Sequence, residues 1–263
     1  MEDYLASEKP GRQTRSTDEI ISSGFEVNGL VFFRKGLRYF SDEFGIYVAF
    51  TLVYIALSMA LSALPVVGDL SGMLVGPPLV AGFACYFRLQ SRNEYREFSN
   101  FFGGFRGGNW PSLVSVGISV TLSMVLAVAI VVVPFFFDSI QVVVTELEKI
   151  QGMDQEKAAE FIIGLYNPQI GLAALVAALA AVGILTLFSL APLFVVYRGY
   201  SAFQAIGASW KLVSKKYVAF LLFNILLWTS VIFGLMMCCV GLLAALPVYY
   251  LSLAAAYEEI TGD

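Results

Sequence analysis

Charges divide this chain into long apolar intervals, and the intervals predict helices. Uncharged stretches run from Phe44 to Gly68, Leu70 to Phe87, Gly107 to Phe137, Phe161 to Tyr197 and Tyr217 to Tyr257. A helix needs about twenty apolar residues to cross the hydrocarbon core of a bilayer, and Arg, Lys or Asp at its centre costs about 2.5–3.5 kcal/mol on the insertion scale. The charge-free intervals therefore mark spans. The first runs from Phe44 to Leu64 and is closed by Pro65; the second is shorter and contains Gly76, Pro77 and Pro78. The third enters at Trp110 and leaves at Phe135, Phe136 and Phe137, and the fourth begins near Ile170. As a single helix the last interval would be about 61 Å long, twice the bilayer core, so it must fold back. Gly234, Cys238, Cys239 and Gly241 supply small residues for that turn, giving a fifth helix, Tyr217 to Met236, and a sixth, Val240 to Tyr257. The expected fold is all-α: a polytopic membrane protein with six transmembrane helices.

Amphipathic stretches precede each pair of spans. The first starts at Ser16, with Glu19 completing a capping box, and continues through Phe32, Phe33, Leu37 and Phe40 against Arg34, Lys35 and Arg38. The second sets Phe98, Phe101, Phe102 and Phe105 against Arg96 and Arg106. The third sets Phe203, Ile206, Trp210 and Leu212 against Lys211, Lys215 and Lys216. Pro78, Pro192 and Pro247 sit in the returning helices, followed by Tyr86, Tyr197 and Tyr257 near the membrane edge. This pattern predicts three quasi-repeated hairpins, each led by an interfacial helix. The expected domains are a flexible cytoplasmic N-terminus over 1–15, one six-helix membrane domain over 16–257 and a tail over 258–263.

Of the sixteen Lys and Arg residues, all but Lys149 and Lys157 fall in segments on one side of the predicted spans. The positive-inside bias then places both termini in the cytoplasm. Short outer turns are expected at Pro65 to Ser71 and near Cys238 and Cys239. The remaining outer segment, 138–168, is long and acidic, and reads as two short helices broken at Gly152, the second capped by Asp154. A hydrophobic share of 58% is too high for a soluble domain of this length, so lipid is the expected solvent. A formal net charge of -4 offers no basic surface for nucleic acid. The chain contains no His, which removes the usual general base near neutral pH and the commonest metal ligand. No cofactor, metal site or catalytic set is expected, and the protein is read as not an enzyme.

Several residues carry candidate chemistry. Arg34, Lys35, Arg38, Arg96, Arg106, Lys211, Lys215 and Lys216 are candidate contacts to lipid headgroups, each Lys or Arg near a surface contributing about 1 kcal/mol. The same residues would also serve a purely mechanical anchor. Asn224, with Ser115, Ser119 and Ser123 at helical spacing, forms a candidate polar path, although serines equally bond their own helix or a neighbour. Gly103, Gly104, Gly107 and Gly108 match neither a P-loop nor a dinucleotide fingerprint and read as a turn or close-packing site. Ala173, Ala177 and Ala181 form a small-residue stripe suited to helix packing. Asp42-Glu43, Glu94 with Glu97, and Glu258-Glu259 read as a solvated edge.

Three motifs carry a family resemblance: Gly76-Pro77-Pro78-Leu79-Val80-Ala81-Gly82-Phe83, Phe98-Ser99-Asn100-Phe101-Phe102-Gly103-Gly104-Phe105, and Ala208-Ser209-Trp210-Lys211-Leu212-Val213. They resemble a bacterial group of uncharacterised six-helix integral membrane proteins related to the membrane domain of glycerophosphodiester phosphodiesterases, over the stretch from Ser23 to Tyr257. The resemblance implies a bacterial inner membrane and a connection with lipid or envelope upkeep. It implies no phosphodiesterase activity, because that enzyme's catalytic domain and metal-binding residues are missing from this sequence. The expected function is a non-catalytic inner-membrane protein, either an assembly or accessory partner or a local lipid organiser. The expected partners are membrane lipids and a membrane or extracytoplasmic protein docked on segment 138–168. The alternative is a transporter or channel component for a small or lipidic solute.

Overall fold

The computed structural model describes residues 15–63, 67–150, 168–237 and 240–263. Every regular element among them is helical. The order is α1 (Thr17–Ser23), α2 (Gly29–Asp42), α3 (Phe44–Ser62), α4 (Val67–Ser91), a 3-10 segment (Phe98–Phe105) and α5 (Asn109–Ile150). Then follow α6 (Pro168–Phe188), α7 (Ala191–Arg198), α8 (Ala202–Lys215), α9 (Tyr217–Met236) and α10 (Leu242–Thr261). Five helices among the described residues are long and apolar enough to cross a membrane: Phe44–Ser62, Gly72–Ser91, Asn109–Val131, Ala174–Arg198 and Tyr217–Met236. These make a multi-pass membrane protein. Helix α10 is not among them. Glu258, Glu259, Tyr249, Tyr250 and Tyr257 dilute its apolar character, while Leu251 through Tyr257 are all buried against protein.

The chain divides into two compact units, Met1–Ser119 with Thr186–Asp263, and Val120–Leu185. In the second unit Ala177 is buried, Ala181 half-buried, and Ala174 and Ala178 exposed, so the alanine stripe has one closely packed member among those whose side chains are described. Helix α5 runs without interruption for 42 residues, about 63 Å. The expectation of a separate short helix after Asp138 is therefore corrected as far as Ile150: no Gly or Pro lies between Phe137 and Ile150 to stop the helix. The proposed break at Gly152 and the cap at Asp154 lie outside the described residues, as do Pro65, Cys238, Cys239 and residues 1–14.

In the first unit local signals set the element boundaries. Ser16 Oγ accepts the Glu19 amide at 3.2 Å, and the Ser16 amide donates to the Glu19 carboxylate at 2.7 Å, forming the expected capping box. The amphipathic stretch is two helices rather than one. Gly24 adopts φ 74°, a left-handed conformation open to glycine, and Asn28 restarts the chain by accepting the Val31 amide at 3.3 Å. A second capping box, Ser201 with Gln204, opens α8.

Each leading element packs on a proline-bearing helix: α2 on α10, the 3-10 segment on α4, and α8 on α7. Backbone contact is close. A Cβ on Gly36 would stand 2.3 Å from Ser252 Oγ, one on Gly82 1.9 Å from the Phe101 carbonyl, and one on Gly104 2.2 Å from the Pro78 carbonyl. The close-packing reading of the glycine run thus holds at Gly104, while Gly107 and Gly108 have positive φ and make the turn.

The prolines leave carbonyls without their helical donors, because proline has no N–H. Pro78 frees the Leu74 carbonyl, and the indole Nε1 of Trp110 donates to it at 3.0 Å. Between α6 and α7 the helix breaks just before Pro192, and Ser209 Oγ donates to the Leu187 carbonyl at 2.7 Å. Trp110 thus replaces a bond that Pro78 removes, while Ser209 satisfies the Leu187 carbonyl, whose partner in a continuous helix would be the Ala191 amide lost at the break.

Candidate functional site

Most polar contacts of the first unit gather where α3 begins and where α4, α7 and α10 end. Three clusters form there, each built on a tyrosine that hydrogen-bonds a carboxylate. In the first, Tyr86 Oη donates to Glu43, which also accepts Arg96 Nε at 2.7 Å and forms an ion pair with that guanidinium. Beside it, buried Tyr47 donates to Gln90 Oε1 at 2.6 Å, and the Gln90 amide donates to the Tyr39 carbonyl at 3.0 Å. In the second, Tyr197 and Ser91 both donate to Glu258 Oε1, at 2.9 and 2.8 Å. The Arg88 guanidinium lies 5.2 Å from the Tyr197 ring centre and donates to the Val196 carbonyl at 3.3 Å. In the third, Tyr257 donates to Asp263 Oδ2 at 3.0 Å, and Arg198 grips the same carboxylate with two nitrogens at 2.8 and 3.3 Å. Both side chains of this pair are nearly inaccessible, at 6% and 5% exposure. The Tyr197 and Tyr257 rings, 4.8 Å apart, join the last two clusters.

The two glutamates feel opposite forces. Burial alone would raise the Glu43 carboxyl, but hydrogen bonds from Arg96 and Tyr86 and the positive charge of Arg96 hold it below its ordinary value. The bond to Glu43 in turn raises Arg96. For Glu258, burial pushes the carboxyl up, and the donors Ser91 and Tyr197, with Arg92 and Arg88 nearby, only partly offset it. The solvated-edge reading is corrected for these two residues: Glu43 is paired, and Glu258 faces protein hydroxyls. A polar cavity of about 540 Å3 adjoins Glu258, with Lys35, Arg38, Asp42, Arg92 and Glu259 on its walls.

The candidate headgroup contacts separate into two groups. Lys35 pairs with Glu259, Arg96 with Glu43, and Lys211 with Asp18 at 3.3 Å. Arg34, Arg38, Arg106, Lys215 and Lys216 are exposed. The candidate polar path is not assembled by direct hydrogen bonds between Ser115 and Asn224. Asn224 is buried, with its amide nitrogen donating to the Phe220 carbonyl of its own helix at 3.0 Å, whereas Ser115 is exposed and Ser119 and Ser123 are half-buried. Among the described residues no group of three or more His, Cys, Asp or Glu side chains is placed to hold a metal ion. The one described cysteine, Cys85, has its sulfur beside Gly103.

An apolar cleft of about 610 Å3 lies between α2, α3, α9 and α10. Phe33, Leu37, Phe44 and Phe233 stand along it, with Gly234, Gly241, Ala244 and Ala245 also in its lining. Sequence reasoning identified the tyrosines near the membrane edge but missed their partners, because Glu43, Glu258 and Asp263 are distant in sequence from the tyrosines or arginines that complete each cluster. No family model matches the chain, and no curated protein or solved structure matches it.

Proposed function

We propose that the protein is a non-catalytic, multi-pass protein of the bacterial inner membrane that orders anionic lipid around its cytoplasmic rim. The observation that carries this reading is the division of labour on the leading helices. Helix α8 buries Ala205, Ala208 and Leu212 and exposes Lys215, with exposed Lys216 at its C-terminal cap; α2 buries Phe32, Gly36 and Phe40 and exposes Arg34 and Arg38. A helix docked on protein by one face and cationic on another holds charge at a fixed place beside lipid phosphates. The family resemblance supports the bacterial setting and the link to lipid.

The same reading takes α10 as a sixth crossing and the molecule as three hairpins. In its support, each leading element rests on the proline-bearing helix of the preceding hairpin, and α2, the first, rests on α10, the last. The transporter reading has less support, since the Asn224 amide nitrogen is engaged by its own helix and Ser115 faces outward.

The test is lipid enrichment in nanodiscs made from mixed phosphatidylglycerol and phosphatidylcholine. The parent protein should retain phosphatidylglycerol above its bulk fraction, and Lys215→Gln with Lys216→Gln should lower that enrichment, each lysine contributing about 1 kcal/mol. Lys211→Gln should have a smaller effect, because Lys211 already faces Asp18. An unchanged lipid ratio in the double variant would leave the helices as mechanical anchors only.

A further inference from the structure

We propose that the polar cavity of about 540 Å3 between the ends of α2, α4 and α10 binds a phosphate-bearing primary amine, its phosphate on Arg38 and Arg92 and its ammonium on Glu258. Phosphoethanolamine is of this class, as a lipid headgroup or as a free solute. The site is separate from the lysines of α8 and selects a zwitterion rather than net negative charge. The charges on its walls lead to that choice. Lys35 is paired with Glu259, and Asp263 with Arg198, so those charges are already answered within the protein. Arg38, Arg92, Asp42 and Glu258 remain, and among the described residues none of these four forms an ion pair.

Glu258 presents one open atom. Its two donors, Ser91 and Tyr197, both bond Oε1. No buried side-chain nitrogen or oxygen among the described residues lacks a partner, so Oε2, which accepts neither donor, is accessible from the cavity. Asp42 ends α2, Ser91 ends α4 and Gly262 caps α10, and all three line the cavity. Three helix C-termini, the negative ends of their dipoles, thus border it and favour a cation beside Glu258. A primary ammonium suits that place because it donates hydrogen bonds to a carboxylate. The anion has its own partners. Arg38 stands four residues before the end of α2, and Arg92 directly follows α4; both are exposed. A phosphate offers enough acceptor oxygens to take two guanidinium forks at once. A bare anion would set negative charge against Glu258, and a bare cation would leave both guanidiniums unanswered. The depth also suits a headgroup, since the span Gly72–Ser91 ends where Arg92 and the cavity begin.

Native mass spectrometry of the full chain in mild detergent tests this with phosphatidylethanolamine, phosphatidylcholine and phosphatidylglycerol of identical acyl chains. The parent should retain one phosphatidylethanolamine with a preference on the order of tenfold over the other two, which lack an ammonium N–H. Arg38→Gln with Arg92→Gln should abolish that retention. Glu258→Gln should lower it to the phosphatidylcholine level while keeping an oxygen for Ser91 and Tyr197 to bond, so the thermal midpoint should not fall. Lys215→Gln with Lys216→Gln should leave it unchanged, which separates this site from the rim. Excess free O-phosphoethanolamine identifies the source: displacement of the lipid makes the soluble amine an occupant, and no displacement makes the acyl chains part of the binding. The proposal is overturned if the parent shows no preference among the three lipids and binds no free O-phosphoethanolamine, or if the arginine or Glu258 variants bind as the parent does.

Discussion

Glu43 and Glu258 occupy the same end of the helices, yet their surroundings act on them with opposite sign. Glu43 accepts bonds from a guanidinium and a phenol, and the fold binds its charged form more tightly than water does. Its carboxyl lies below the ordinary 4.5, so its contribution to stability is present above that value and is lost as pH falls through the lowered one. Glu258 is raised by burial, so the fold favours its protonated form; that contribution is full below 4.5 and is lost as pH rises through the raised value. Thermal unfolding of the full chain in one detergent, followed from acid to neutral pH, should separate them. Glu43→Gln should cost roughly 1.5–3 kcal/mol at neutral pH, the range for hydrogen bonds to a charged group, with the gap closing in acid. Glu258→Gln should lie close to the parent in acid and gain on it as pH rises. Parallel curves for parent and variants would refute the opposed environments.

Between elements, the decisive contacts are made by residues with little or no side chain. The sequence places Gly76-Pro77-Pro78 and Phe101-Phe102-Gly103-Gly104 in separate segments, and periodicity alone does not say that one rests on the other. In the structure Gly82 and Gly104 let the two backbones meet, and Trp110 donates to the carbonyl that Pro78 leaves free. What was legible was the set of apolar helices and the capping at Ser16, since these follow from local composition; Pro77, Pro78 and Pro247 lie inside continuous helices as expected, whereas the break before Pro192 was not read. The tyrosine clusters were not legible, because Glu43 meets Arg96 and Arg198 meets Asp263 only after the helices pack. The unbroken α5 could be read in part, as the run beyond Phe137 holds no breaker up to Ile150. The contact of α4 with the 3-10 segment gives a sharp contrast between two glycines of one helix. Gly82→Ala would drive its Cβ into the Phe101 carbonyl and should destabilise by about 1–3 kcal/mol through overpacking. Gly76→Ala meets nothing within 4 Å and should be neutral or stabilising by up to about 1 kcal/mol. Equal midpoints for the two variants in a thermal shift assay would argue against the close approach.

At the scale of the whole molecule, the question left by five strongly apolar helices is which side of the membrane each connection occupies. Every Lys and Arg except Lys149 and Lys157 lies in segments that alternate crossings bring to one side, which predicts that side to be cytoplasmic. The span Asn109–Val131 then carries the far end of α5 across, and the span Ala174–Arg198 brings the chain back. Helix α9 crosses again, so the position of the chain end depends on α10. The buried pair of Arg198 with Asp263 ties that end to the end of the returning span, and breaking it would leave a charge without its partner, a cost of about 3–5 kcal/mol for a buried pair. A carboxylate held there predicts that α10 returns through the membrane despite its tyrosines, with its buried face against protein. Reporter fusions after Gly107, Ser214 and Asp263 should therefore behave as cytoplasmic, and a fusion after Gln151 as extracytoplasmic. An extracytoplasmic signal at Asp263 would reduce the crossings to five and contradict the Arg198 pair, while a cytoplasmic signal at Gln151 would remove the third crossing and overturn the orientation read from the charges.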